Sequence, residues 1–137
     1  MVEYGKIINV VFEETNDEPY EGLILTTESK ETISLLISSR QSCCESWGVN
    51  LDGNLIQPED YDNIKETLIG KNVLNVYWAH AREKELVKNS YECGSYACVN
   101  ILTEQHNYQV DLWCNHNGYY AHTLRVKWKD YQDIQTL

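Results

Sequence analysis

A tight-turn signal near the C-terminus constrains this chain more than any other feature. Asn117 and Gly118 both tolerate the positive φ angles of hairpin turns, and apolar residues alternate with polar ones on either side. A two-residue turn and a three-residue turn compete here, and they differ by one residue in register. Only the three-residue turn, 117–119, sets apolar residues opposite each other and Asp111 opposite Arg125. The sequence therefore predicts a C-terminal hairpin with this register.

The rest of the chain predicts an α+β fold, mainly an antiparallel sheet of about seven strands with one helix packed against it. Pro58, the acidic residues after it and an apolar stripe that stops at Gly70 predict the helix. A length of 137 residues without a linker indicates a single domain, 1–137. Residues 130–137 form a polar tail that the pattern does not assign. The predicted strands are 6–13, 20–27, 32–38, 73–79, 97–103, 108–115 and 120–129.

The charge balance excludes some classes of partner. A net charge of −10 argues against direct binding to nucleic acid or to an anionic membrane, because both require a basic surface. It leaves open a cationic protein partner, mimicry of nucleic acid, or simple solubility. No apolar run approaches the roughly 20 residues of a membrane span, and the N-terminus lacks a signal-peptide pattern. We therefore expect a cytoplasmic protein.

Cysteine and histidine side chains raise the question of a metal site. In a cytoplasmic protein the five cysteines are expected to be thiols rather than a disulfide framework. The preferred register would place Cys114, His116 and His122 on one face of the hairpin tip, and zinc accepts such ligands. The spacing lacks the paired cysteines typical of zinc sites, however. We therefore predict no metal and no cofactor, with this triad as the alternative.

Thiol catalysis is the enzymatic alternative. Cys43 or Cys44 paired with a histidine would make an activated thiolate, and Glu45 would orient the imidazole. No flanking signature supports this arrangement, and the sequence has no phosphate loop or dinucleotide fingerprint. We therefore predict that the protein is not an enzyme.

Two loops of unusual composition, 42–50 and 115–122, favour recognition of a ligand. Aromatic rings there would stack on a base, amides and histidine would read hydroxyl groups, and arginines would meet phosphate. The same aromatic residues also suit a purely structural role in filling the core and its edges. The predicted ligand-binding residues are Arg40, Cys43, Cys44, Glu45, Trp47, Asn115, Asn117, Tyr119, Tyr120, His122 and Arg125.

Three short motifs carry a resemblance to a known family. They are Cys-Cys-Glu at 43–45, Leu-Ile-Gly at 68–70 and Asn-Gly-Tyr-Tyr at 117–120. In this order and spacing, the chain from about residue 20 to 128 resembles a family of small phage-encoded proteins of uncharacterised function. It is more distantly similar to the phage anti-Thoeris sponges. These are small antiparallel-sheet proteins that dimerise and sequester a cyclic ADP-ribose isomer without cleaving it.

The resemblance implies a non-enzymatic phage protein for immune evasion. Such a protein would capture a nucleotide-derived signal, for instance a cyclic ADP-ribose isomer, and would act as a homo-oligomer in the host cytoplasm. The alternative is an acidic interaction protein that inhibits a host defence complex by mimicking nucleic acid, as the net charge permits.

Overall fold

The computed structural model describes residues 4–15, 19–38, 46–78, 95–115, 123–128 and 131–136. These residues form ten strands and one α-helix. The strands are β1 (Gly5–Thr15), β2 (Pro19–Thr27), β3 (Thr32–Ser38), β4 (Ser46–Leu51), β5 (Asn54–Leu55), β6 (Asn72–Trp78), β7 (Ser95–Thr103), β8 (Asn107–Asn115), β9 (Thr123–Trp128) and β10 (Tyr131–Thr136). A single 3-10 turn (Pro58–Asp60) leads into the helix α1 (Tyr61–Leu68) between β5 and β6.

All neighbouring strands are antiparallel, in the order β10-β9-β3-β2-β1-β6-β7-β8-β4-β5. The predicted antiparallel α+β class is therefore confirmed. The prediction of about seven strands is too low, because it missed β4, β5 and β10. β4 contains a glycine and alternates weakly, β5 has two residues, and β10 is mostly polar.

The long strand β1 joins two halves of the sheet. Its central and C-terminal part pairs with β2, whereas Gly5 and Lys6 pair with β6. We call β1, β2, β3, β9 and β10 the first half, and β4 to β8 the second half. Apolar side chains from both halves form one buried cluster, and β3 lies against β8 across it. The core is thus sandwiched between two halves of one sheet that folds over on itself.

Helix α1 forms as the sequence predicts. Pro58 opens the first turn, where its missing N–H costs no hydrogen bond, and the Asp60 carboxylate accepts the Gln57 N–H at 3.1 Å. Ile64 and Leu68 are buried against the core. The helix ends after Leu68, and no helix in the described part of the chain is long and apolar enough to cross a membrane.

A bulge in β1 changes which side chains face the core. Strict alternation predicts that Ile8 shares the face of Val10 and Phe12. The pairing with β2 shifts between Ile7 and Asn9, however, so that Ile7 is buried and Ile8 is exposed.

The predicted register of the C-terminal hairpin is wrong. β8 pairs with β7 and β4, whereas β9 pairs with β3 and β10, so these two strands belong to different halves of the sheet. Asp111 consequently lies opposite Asn50 of β4, and Arg125 lies opposite Leu36 of β3. The alternating pattern reports which face of each strand is buried, but it does not report which strand lies beside it.

Candidate functional site

Two segments of the predicted site are flanked by strand ends that lie side by side. Residues 39–45 connect β3 to β4, and residues 116–122 connect β8 to β9. Ser46, the first residue of β4, lies opposite Asn115, the last residue of β8. β3 ends where β9 begins, in an antiparallel pair. The strand ends that flank the two segments therefore lie at one end of the sheet, which we call the crossover end.

Most of the predicted ligand-binding residues lie outside the described residues. They are Arg40, Cys43, Cys44, Glu45, Asn117, Tyr119, Tyr120 and His122, and His116 of the alternative zinc triad lies outside as well. Cys114 and Asn115 are placed as the backbone of β8 alone. Trp47 and Arg125 are described with their side chains, and both lie near the crossover end.

Arg125 is held by residues of two other strands. One guanidinium nitrogen, Nη2, forms an ion pair with the Glu14 carboxylate on β1. The guanidinium also lies over the ring of Tyr20 on β2, at 4.6 Å from its centroid. The side chain thus reaches from β9 across β3 and β2 to β1. Because guanidinium has five N–H donors in a planar fork, Arg125 keeps donors for a second anion.

Trp47 lines a small cavity of about 150 Å³ between β2, β4 and α1. It lies opposite Cys114 and is partly buried against the core. Burial, and then the nearby Glu13 carboxylate, raise the pKa of Glu21 at the same cavity above its usual value. The volume is below that of typical small-molecule sites, so this cavity does not hold a whole nucleotide. The lining residues are Glu21, Gly22, Trp47, Gly48, Val49, Leu55, Ile56 and Tyr61.

A larger cavity, of about 430 Å³, lies between α1 and the β4–β5 turn. We call it the α1 cavity. Its walls combine aliphatic side chains with carboxylate, amide and hydroxyl groups. The sequence does not predict this cavity, because it depends on where α1 lies relative to the β4–β5 turn. The lining residues are Leu51, Asp52, Asn54, Leu55, Ile56, Asp60, Asn63, Ile64, Thr67 and Tyr108.

Asp52 lines the α1 cavity, and its carboxylate is hydrogen-bonded to residues around the start of β8. It occupies the left-handed region, with φ +51°, in the tight turn between β4 and β5. Its Oδ1 atom accepts the Gln109 N–H at 2.8 Å, and its Oδ2 atom lies 2.7 Å from His106 Nε2. The His106 ring packs edge-on against Tyr108, with 4.5 Å between centroids. Burial, and secondly the Asp52 charge, raise the pKa of Tyr108, so this phenol stays neutral at physiological pH.

The outer face of the second half buries an unusual set of polar groups. Gln109 and Asp111 are both buried, and Gln109 Nε2 donates to Asp111 Oδ1 at 2.6 Å. Trp113 Nε1 donates to Asn50 Oδ1 at 3.0 Å. The thiol of Cys98, opposite Asp111, is buried as well. These hydrogen bonds offset part of the cost of removing amides and a carboxylate from water, since Gln109 Oε1 is buried without a hydrogen-bond partner in the described part of the chain. Alternation alone predicts that this face is exposed.

The residues that the structure describes contain no group of three or more His, Cys, Asp or Glu side chains suited to a metal ion. Both cavities are lined by polar groups on strands and on α1.

One family model, described as "Domain of unknown function (DUF7448)", matches residues 4–126. No curated protein and no solved structure matches the chain. The matched region runs from the residue before β1 to Val126 in β9, so it contains α1, both cavities and the crossover end. The chain therefore belongs to the DUF7448 family of domains.

Proposed function

We propose that this protein is a non-enzymatic binding protein that sequesters a nucleotide-derived signal, such as a cyclic ADP-ribose isomer. It would serve a phage in immune evasion, as a homo-oligomer in the host cytoplasm. The observation that carries the proposal is the pairing of Ser46 with Asn115. This pairing brings together the ends of the two segments whose composition suits a base, a ribose and a phosphate.

The proposed roles follow from the chemistry of each group. Trp47 or Tyr119 would stack on the base, because aromatic rings bind any base through its π face. Asn115, Asn117 and His122 would hydrogen-bond ribose hydroxyl groups. Arg125 would donate its remaining N–H groups to phosphate, which would then share the guanidinium with Glu14.

The net negative charge of the protein opposes the binding of a phosphate ligand at this site. The chain carries a net charge of −10, so it repels a phosphate ligand at long range. Arg125 and Lys127 alternate with buried residues and lie on the same outer face of β9. They are the positive charges that this face of β9 offers an anionic ligand, and the Arg125 charge is shared with Glu14.

Titration calorimetry of the purified protein with cyclic ADP-ribose isomers and cyclic oligonucleotides tests the proposal. We expect saturable heat with one of these ligands, and we expect mass spectrometry to recover that ligand intact after heat denaturation. Turnover of the ligand would show an enzyme instead. No heat with any such ligand, from a folded protein, would overturn the proposal and favour the acidic interaction protein.

Three single substitutions test the role of Arg125 in the same assay. Arg125→Ala should weaken binding at least about tenfold, since a charge-assisted hydrogen bond to phosphate is lost. Glu14→Gln should strengthen it roughly two- to fivefold, because the guanidinium is released from a partly exposed ion pair. Lys127→Ala is the matched control, since it removes one positive charge from the same face of β9. Equal losses for Lys127→Ala and Arg125→Ala would mean that only the general charge matters.

A further inference from the structure

The α1 cavity has the size of a small-molecule site and lies apart from the crossover end. Its volume of about 430 Å³ falls within the usual range for such sites. Leu51, Ile56 and Ile64 form an apolar wall. Leu55 at its edge is 43 % exposed, so a ligand with an apolar body would cover it.

The charged groups of the α1 cavity all have one sign. Among the described residues that line it, the charged side chains are Asp52 and Asp60. Both are held in place, Asp52 by Gln109 and His106 and Asp60 by the Gln57 N–H. A carboxylate has about four lone-pair sites, so each retains acceptor capacity for a donor in the cavity.

The Tyr108 side chain adds a hydroxyl group to the residues that line the cavity. Tyr108 lines the cavity and is 7 % exposed. No residue in the described part of the chain forms a hydrogen bond with its hydroxyl group. The hydroxyl oxygen keeps accessible surface, and a neutral phenol accepts a hydrogen bond from a cationic nitrogen.

We propose that the α1 cavity binds a small organic cation, namely an aliphatic amine or guanidine. The aliphatic part of the ligand packs against Leu51 and Ile64, and its nitrogen donates to Asp52, Asp60 and the Tyr108 hydroxyl. Asn63 and Thr67 supply further polar contacts at the α1 side. The two carboxylates repel anions, so this site does not take the phosphate ligand of the proposed function and does not depend on it.

Four probes that share a four-carbon chain differ in the charge that they carry. Putrescine and agmatine carry cationic nitrogens, 1,4-butanediol is neutral, and succinate is anionic. Titration calorimetry should show saturable binding of at least one cation, in about 150 mM salt to screen weak surface attraction. The diol and succinate should bind at least about tenfold more weakly. Equal binding of all four probes, or of none, would overturn the proposal.

A pair of isosteric substitutions localises the binding. Asp60→Asn and Asp62→Asn each remove one negative charge near the start of α1, but only Asp60 lines the cavity. Asp60→Asn should weaken cation binding about tenfold or more, and Asp62→Asn less than about twofold. Equal effects would show non-specific attraction to an acidic surface and would overturn the proposal.

Two further variants separate the loss of cation binding from a loss of folding. Thr67 is exposed at its α1 position, so Thr67→Phe should fill the cavity while the melting temperature stays close to that of the parent protein. Tyr108→Phe removes one hydroxyl group and keeps the ring. Both should weaken cation binding. A folded Thr67→Phe protein that binds the cation normally would place the site elsewhere and overturn the proposal.

Discussion

Gly22 lies where β2 approaches β3 too closely for a side chain. Its φ is +150°, and a Cβ atom there would lie 2.0 Å from the carbonyl oxygen of Leu35. Because this obstacle is backbone, the two strands would have to separate. We expect Gly22→Ala to lower the free energy of unfolding by about 2–4 kcal/mol in a urea titration.

Gly53 provides the control for this substitution. Its φ is +86°, but nothing lies within 4 Å of the position that a Cβ would occupy. Gly53→Ala should therefore cost only the backbone strain of a left-handed residue, about 1–2 kcal/mol. A loss as large as that of Gly22→Ala would contradict the steric explanation.

Glu21 makes the stability of the folded protein depend on pH, and the raised pKa gives the direction of this dependence. Burial and the Glu13 charge raise its pKa, so the folded state holds this proton more tightly than the unfolded chain does. The contribution of Glu21 to the free energy of unfolding is therefore present at low pH, and it is lost as the pH rises through the raised pKa. Glu21→Gln should therefore stabilise the protein at pH 7, and the gain should vanish below the usual carboxyl pKa of 4.5.

Thermal unfolding between pH 4 and pH 8 checks this effect, with the exposed Glu59→Gln as control. Both substitutions remove one negative charge from an acidic molecule, but Glu21 is partly buried whereas Glu59 is exposed. A gain at pH 7 of the same size in both variants would show that net charge alone is responsible.

At the scale of one element, the end of α1 places Leu68, its last residue, and Ile69, the residue after it, in opposite environments. Leu68 is fully buried, whereas Ile69 is 45 % exposed. Leu68→Ala should lower the free energy of unfolding by roughly 2–5 kcal/mol through the cavity that it leaves, whereas Ile69→Ala should change it by less than about 1 kcal/mol. Similar losses in chemical denaturation would mean that α1 does not cover the core in this way.

The helix could be predicted from sequence, because its signals are local. Pro58 starts it, the apolar spacing gives its buried face, and Gly70, with φ +92°, turns the chain after its end. Strand pairing is not local. Nothing between β8 and β9 in sequence shows that they belong to different halves, and the charge match of Asp111 with Arg125 was misleading. In the structure Arg125 pairs with Glu14, which lies 111 positions earlier.

Of the two candidate sites, the sequence indicates one and does not indicate the other. Composition alone selected the segments 42–50 and 115–122, and the pairing of β4 with β8 brings the ends of both to one place. The α1 cavity was not predictable, because its walls come from separate elements: the β4–β5 turn, α1 and Tyr108 of β8. Only the folded arrangement of α1 and the β4–β5 turn brings Asp60 and Asp52 to the same cavity.

At the scale of the whole molecule, the two halves of the sheet share one core but few backbone hydrogen bonds. The β1–β6 pairing that joins them involves Gly5 and Lys6 of β1. Side chains provide the larger connection. Trp78 of the second half meets Trp128 of the first half edge to face, with ring centroids 5.6 Å apart. We therefore expect the halves to unfold together, since neither can bury its apolar face alone.

The tryptophans allow a direct test of this cooperativity. In the double variant Trp47→Phe and Trp113→Phe, the remaining tryptophans are Trp78 and Trp128, so fluorescence reports the contact between the halves. Far-UV circular dichroism reports all the strands. Urea midpoints from the two probes should agree within about 0.2 M if unfolding is two-state. A fluorescence change that comes clearly before the loss of strand signal would mean that the halves separate while each remains folded, which a shared core does not allow.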